Sequence, residues 1–147
     1  MTVLDAYAVL AYLKDEPSAD EVRPLIEAGD ASLTAVGVAE VIDHLVRLAG
    51  ADEEDAALDL AQLGLLDGIA VDSTIGAMSG RLRARHYHRT RSPISLADCV
   101  AAEVARARRE PLATADQSLL DVCHAEGIHV TVLTTSDGSR WDRPTGP

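Results

Sequence analysis

Four acidic residues occupy local settings that could bring them to one place. Asp5 closes a strand-like opening, Thr2-Val3-Leu4-Asp5, where Asp is a poor strand former directly after an apolar run. Glu40 lies early in Val38-Ala39-Glu40-Val41-Ile42-Asp43, Asp98 in Ser95-Leu96-Ala97-Asp98-Cys99, and Asp116 in Ala113-Thr114-Ala115-Asp116-Gln117. An acid at the carboxyl end of a strand, or in the first turn of the next helix, faces the crevice where open α/β sheets bind ligands. Carboxylates gathered there repel one another by roughly 4 kcal/mol per pair at about 4 Å and an effective dielectric of about 20. They persist together only if some are protonated or a cation sits among them. The chemistry to expect is therefore a divalent-metal site.

Each acid also has an ordinary structural explanation. Ser95-x-x-Asp98 is a capping box, and Asp116 is a natural N-cap before Gln117, worth about 1 kcal/mol. At 100° per residue Glu40 falls opposite the stripe of Val38, Ile42, Leu45 and Ala49, which suits a solvated face.

The elements that must position these acids alternate. Short apolar runs at Thr2–Asp5, Ala31–Thr34, Ile69–Asp72, Pro111–Thr114 and His129–Leu133 read as strands. Helical stretches fall between them: Ala6 to about Lys14, a helix opened by the capping-box pattern Ser18-Ala19-Asp20-Glu21, Val36 to Ala49, Asp52–Leu63, Ser73 to His88, Ser95 to Arg109, and Gln117–Glu126. This βαβ rhythm predicts an α/β fold with a parallel sheet under helical cover. Residues 1–133 read as one domain, and 134–147 as a polar, flexible C-terminal tail.

Composition bounds the rest. The chain has 147 residues, enough for one core, and 47% of them are apolar with no Phe, so the core is built from Leu, Val, Ile and Ala. A net charge of −11 opposes non-specific attraction to nucleic acid over most of the surface. One basic segment stands out, with Arg81, Arg83, Arg85, Arg89 and Arg91 around His86 and His88, and Arg85, Arg89 and Arg91 are candidate RNA contacts. Two cysteines without a CxxC pair suggest small buried hydrophobes in a reduced setting. With no apolar run long enough to span a bilayer and no secretory leader pattern, the chain reads as soluble and cytoplasmic, without membrane contact. Neither GxGxxG nor GxxxxGK[ST] occurs, which argues against dinucleotide and P-loop chemistry.

Taken together, Val3-Leu4-Asp5 with Ala8-Val9-Leu10-Ala11-Tyr12-Leu13, Ala39-Glu40-Val41, Pro93-Ile94-Ser95-Leu96-Ala97-Asp98 and Leu112-Ala113-Thr114-Ala115-Asp116-Gln117-Ser118-Leu119 resemble the PIN-domain ribonucleases, specifically VapC-type toxins of bacterial toxin–antitoxin pairs. The resemblance implies a three-layer α/β/α fold with a central parallel sheet of four to five strands. It implies Mg²⁺- or Mn²⁺-dependent endoribonuclease activity, with Asp5, Glu40, Asp98 and Asp116 as metal-site acids and Thr114 as a supporting hydroxyl. It further implies a small cognate antitoxin, an RNA substrate and a homodimer. The family usually has Ser or Thr two residues after the first Asp, and this chain has Tyr7. An all-oxygen acid set agrees with hard Mg²⁺ or Mn²⁺, whereas zinc favours His and Cys. Asp5, Asp98 and Asp116 are the expected direct ligands, and Glu40 binds directly or through water. Asp43 and Asp121 are read as surface acids, with a supporting place around the site as the alternative. Two other functions stay open at this point: a degenerate PIN module that binds RNA or protein without cutting, and a phosphohydrolase using Asp5 as nucleophile.

Overall fold

A computed structural model describes residues 1–146. Four strands, β1 (Thr2–Leu4), β2 (Ala31–Ser32), β3 (Leu112–Thr114) and β4 (Val130–Val132), form one sheet in the order β2-β1-β3-β4. Every pairing is parallel. Seven α-helices cover the sheet: α1 (Ala6–Leu13), α2 (Ala19–Glu27), α3 (Ala35–Asp43), α4 (Glu53–Gln62), α5 (Ser73–His86), α6 (Leu96–Arg108) and α7 (Gln117–Glu126).

Side chains alternate across a strand, so neighbouring residues of β1 and β3 enter different layers. Val3 and Leu112 pack with Leu82, Cys99, Ala102, Leu119 and Cys123 from α5, α6 and α7. Leu4 and Ala113 pack with Val9, Val22, Val41 and Leu60 from α1 to α4. The strands are thus buried on both faces, which is why they read as continuous apolar runs. The result is the expected three-layer α/β/α arrangement.

The sheet has four strands because Ile69–Asp72 does not form the expected one. Ile69 makes a single parallel bridge to Thr34, with its N–H donating to Leu33 O at 2.8 Å and its O accepting from Ala35 N at 2.9 Å. The chain then leaves the edge at once, because Asp72 caps α5 through the Ile75 N–H. Gly68 permits the close approach, since a Cβ there would lie 2.9 Å from Ala35 N. The helix expected over Val36–Ala49 also changes: α3 ends at Asp43 and gives way to a π-helical turn over His44–Leu48, in which Ala49 N donates to His44 O. Such wide turns inside helices often sit at functional sites.

The capping box expected at Ser18 is absent. Ser18 makes no side-chain cap, and Glu21 instead accepts from Thr134 N at 3.0 Å and from the Thr134 hydroxyl. The polar segment after β4, expected to be flexible, makes further contacts with the body. Arg140 donates to Glu21 at 2.8 Å and to Val132 O at 2.8 Å, and Trp141 Nε1 donates to Asp121 at 2.8 Å. No helix among the described residues is long and apolar enough to cross a membrane.

Candidate metal centre

The chain steps from β1 to β2 on one side and later adds β3 on the other, so the topological switch point lies between β1 and β3. The crevice at the carboxyl ends of those two strands is where such sheets bind ligands. Asp5 follows β1 directly, and Asp116 follows β3 by two residues. Asp98 enters from the first turn of α6, and Glu40 from the middle of α3, the helix after β2.

Local capping fixes three of the four. Asp5 is the N-cap of α1 and accepts from Ala8 N at 2.7 Å. Asp116 is the N-cap of α7 and accepts from Leu119 N at 2.8 Å. Asp98 completes the capping box of α6, accepting from Ser95 N at 2.9 Å while Ser95 Oγ accepts from Asp98 N at 3.0 Å. The structural explanations for these acids therefore hold, and they do not compete with a role at the site. The caps orient the carboxylates rigidly and leave one oxygen on each of Asp98 and Asp116 without a hydrogen bond among the described residues.

Thr114 ties two acids together. Its buried hydroxyl donates to Asp5 Oδ2 and accepts from Asp116 N at 3.0 Å. Strand β3 presents it there because Ala113 and Thr114 point to different faces of the sheet.

The electrostatics mark a cluster under strain. Asp5 is only 4% exposed. Burial pushes its carboxyl up to about 7, against the lowering effect of the Thr114 and Ala8 hydrogen bonds, with Asp98 and Asp116 pushing it further. Burial also raises Asp98, and Asp116 adds to this. Glu40 is raised by burial, then by Asp98 and Asp43. All four acids thus belong to one coupled set, with Asp98 linking Glu40 to the other two. Among the described residues, no three His, Cys, Asp or Glu side chains close into a ready metal cage. The acids at this crevice offer only carboxylate oxygens, the donor type of hard ions such as Mg²⁺ and Mn²⁺.

Asp43 is an exposed acid paired with Arg47 at 2.9 Å and lies near enough to Glu40 to help raise its carboxyl, whereas Asp121 is held by Trp141. Arg85 pairs with Glu126 at 3.1 Å, as do His86 at 2.6 Å and Arg106 at 3.0 Å. His86, then Arg106 and Arg85, hold the Glu126 carboxyl down at about 2. Glu126 ends α7, the helix that Asp116 begins, so a helix length of roughly 15 Å separates it from the site. Arg83 donates to Ile94 O at 2.9 Å. Arg89 and Arg91 are exposed in the turn before Ser92. Arg83, Arg85 and His86 of the basic segment are engaged by the fold, whereas Arg81, Arg89 and Arg91 are exposed without an ion pair among the described residues.

Two residues at the crevice had no signal in the sequence. Lys14 and His44 are 30 positions apart, yet Lys14 Nζ lies 2.7 Å from His44 Nε2. Both line a cavity of about 470 Å³ that Asp5 and Asp116 also line. A smaller cavity of about 170 Å³ adjoins it through Tyr7, Leu10 and His44 and reaches Glu40.

Known proteins share this frame. FitAcB from Neisseria gonorrhoeae superposes with a TM-score of 0.63 at 19% identity, over 88% of this chain and 96% of its own. VapBC2 from Rickettsia felis bound to a DNA fragment from their promoter gives 0.63 at 17% identity, over 88% of this chain and 96% of its own. A toxin–antitoxin complex from Klebsiella pneumoniae gives 0.59 at 16%, over 80% and 88%. At these identities the likeness speaks for the fold. No curated protein matches the chain by sequence. Residues 2–125, which carry all four acids and both strands of the switch point, match the PIN domain, and the chain belongs to that family.

Proposed function

We propose that this chain is a metal-dependent endoribonuclease and the toxin half of a toxin–antitoxin pair. PIN domains are generally nucleases. The observation that supports the finer reading is the buried Asp5, the half-buried Asp98 and the exposed Asp116 gathered at the switch point, where burial pushes Asp5 up to about 7 and the other two push it further. A protein gains nothing in stability from such repulsion, so the set makes sense as a place for a cation.

Asp5, Asp98 and Asp116 would hold Mg²⁺ or Mn²⁺, with Glu40 engaged directly or through water. Once bound, the ion supplies an acidified water and countercharge for the phosphate. The residues supply orientation. Thr114 holds Asp5 and the backbone of Asp116 in register, and the caps of α1, α6 and α7 fix the carboxylates that face the crevice. No side chain is required as nucleophile. Asp5 is poorly placed for that role, because both its oxygens already accept hydrogen bonds and it is buried.

The named complexes from Klebsiella pneumoniae and Rickettsia felis support a small protein partner for this chain as well. Its inhibitory segment should present an Arg to Asp5, Glu40, Asp98 and Asp116, since guanidinium is always charged and matches carboxylate geometry. The purified chain should cleave single-stranded RNA in Mg²⁺ or Mn²⁺ and lose that activity in EDTA. Co-expression with the small protein of the adjoining gene should suppress cleavage and yield a co-purifying complex. Cleavage that survives EDTA overturns the metal reading, and RNA bound but never cut identifies a binding module instead.

A further inference from the structure

The cavity beside the acids has features that metal binding alone does not use. Its lining includes Asp5 and Asp116 together with Tyr7, Lys14 and His44. At about 470 Å³ it falls in the range of sites that hold small ligands.

Tyr7 is 65% exposed immediately next to the most buried acid of the cluster. The chain has only four aromatic side chains besides histidine, and the other three are engaged. Arg23 lies over Tyr12 at 5.5 Å and Arg83 over Tyr87 at 4.1 Å, while Trp141 donates to Asp121. Among the described residues Tyr7 meets one aromatic ring, that of His44, in a T-shaped contact with centroids 6.4 Å apart at 83°, and the side chain is otherwise largely exposed. Every nucleobase has a π-face, so an exposed ring beside a nuclease site can serve as a stacking platform of low sequence preference.

Lys14 is the only lysine in the chain. It caps the end of α1, has no carboxylate within ion-pair distance among the described residues, and points its ammonium at His44 Nε2. An ammonium has three donors, so two remain for other acceptors. In a chain of net charge −11, a cation at the rim of an acidic crevice is what a phosphate approaching that crevice needs.

We infer that this cavity is a subsite for the nucleotide adjoining the scissile phosphate of a single-stranded RNA, with its base on Tyr7 and its phosphate at Lys14 and His44. The inference rests on the ribonuclease reading proposed above. It also gives Tyr7, the departure from the usual Ser or Thr, a positive role in positioning substrate.

The test uses the full chain in Ca²⁺, whose looser coordination favours binding over turnover, and a fluorescein-labelled single-stranded RNA of ten nucleotides read by anisotropy. Tyr7→Ala should weaken binding about tenfold and Tyr7→Phe should restore it. Lys14→Ala should weaken binding and flatten the slope of log affinity against log salt by about 0.7. Mn²⁺ affinity should be unchanged in all three variants. An amine-reactive reagent labels Lys14 and the N-terminal amine, which peptide mass spectrometry separates, and RNA should protect Lys14. Unchanged RNA affinity and salt slope in the Ala variants overturn the subsite, as does a Tyr7→Ala protein that loses Mn²⁺ and RNA together. If the wild-type protein binds RNA through these residues yet never cuts it, the subsite stands and the ribonuclease reading falls. If it cuts RNA and the variants bind as wild type, the reverse holds. A wild-type protein with no affinity for RNA overturns both.

Discussion

Asp98→Asn should lower metal-dependent RNA cleavage by at least about a hundredfold while leaving the fold intact, whereas Ser95→Ala should lower stability and leave cleavage in place. The two residues share one capping box, so the pair separates its structural and chemical roles. Asn retains an oxygen that can accept from Ser95 N, so the helix start survives while the charge facing the crevice is lost. Removing a single charge-stabilising group from a catalytic centre typically costs a factor of 10²–10³. Ser95→Ala removes the hydroxyl that accepts from Asp98 N, at a cost of about 1 kcal/mol in stability, but leaves the carboxylate in place. Cleavage rates and thermal melts of both variants check this. Normal cleavage by Asp98→Asn would leave Asp98 as a helix cap and nothing more.

Asp5→Asn should stabilise the metal-free protein at pH 8, and the gain should vanish toward pH 4. The carboxyl is raised from 3.8 to about 7 in the folded chain, chiefly by burial. Between those values the folded state binds more protons than the unfolded state, so stability falls as pH rises through the window. Full ionisation then costs on the order of 4 kcal/mol, which the neutral amide avoids. Asn can keep the α1 cap through its oxygen, and its amide can donate to Thr114 Oγ1, reversing the bond in which that hydroxyl donates to Asp5. For a chain of this size each kcal/mol moves the Tm by roughly 2–4 °C. Differential scanning calorimetry in EDTA at pH 4, 6 and 8 measures the effect. Saturating Mn²⁺ should reverse the order, because only the wild type gains full binding energy in the folded state. A Tm difference independent of pH would mean that Asp5 is not titrating in this window.

Much of the frame was legible because its signals are local. Ser95 three residues before Asp98, and Asp116 before Gln117, form the caps that their spacing suggests, and Asp5 after its apolar run turns out to cap the next helix as well. Where the structure departs from these expectations, another contact takes the residue, distant in some cases and local in others. Glu21 turns from the Ser18 cap to Thr134, 113 positions away. Arg85, a candidate RNA contact, pairs with Glu126, 41 positions away. Ile69–Asp72 has strand-like residues, but Asp72 serves α5 and the segment keeps only one bridge to the sheet. Lys14 and His44 meet across 30 positions and lack any shared motif, so only the fold reveals them at the crevice.

The account stands on the four acids forming one metal site, and Mn²⁺ titration followed by electron paramagnetic resonance tests that most directly. The wild-type protein at pH 7 should take up Mn²⁺, competed by Mg²⁺, with proton release as the raised carboxyl of Asp5 ionises. Asp5→Asn, Asp98→Asn and Asp116→Asn should each weaken uptake at least tenfold, and Asp43→Asn should not. Uptake that is absent in the wild type, or equal in wild type and all four variants, would contradict the account.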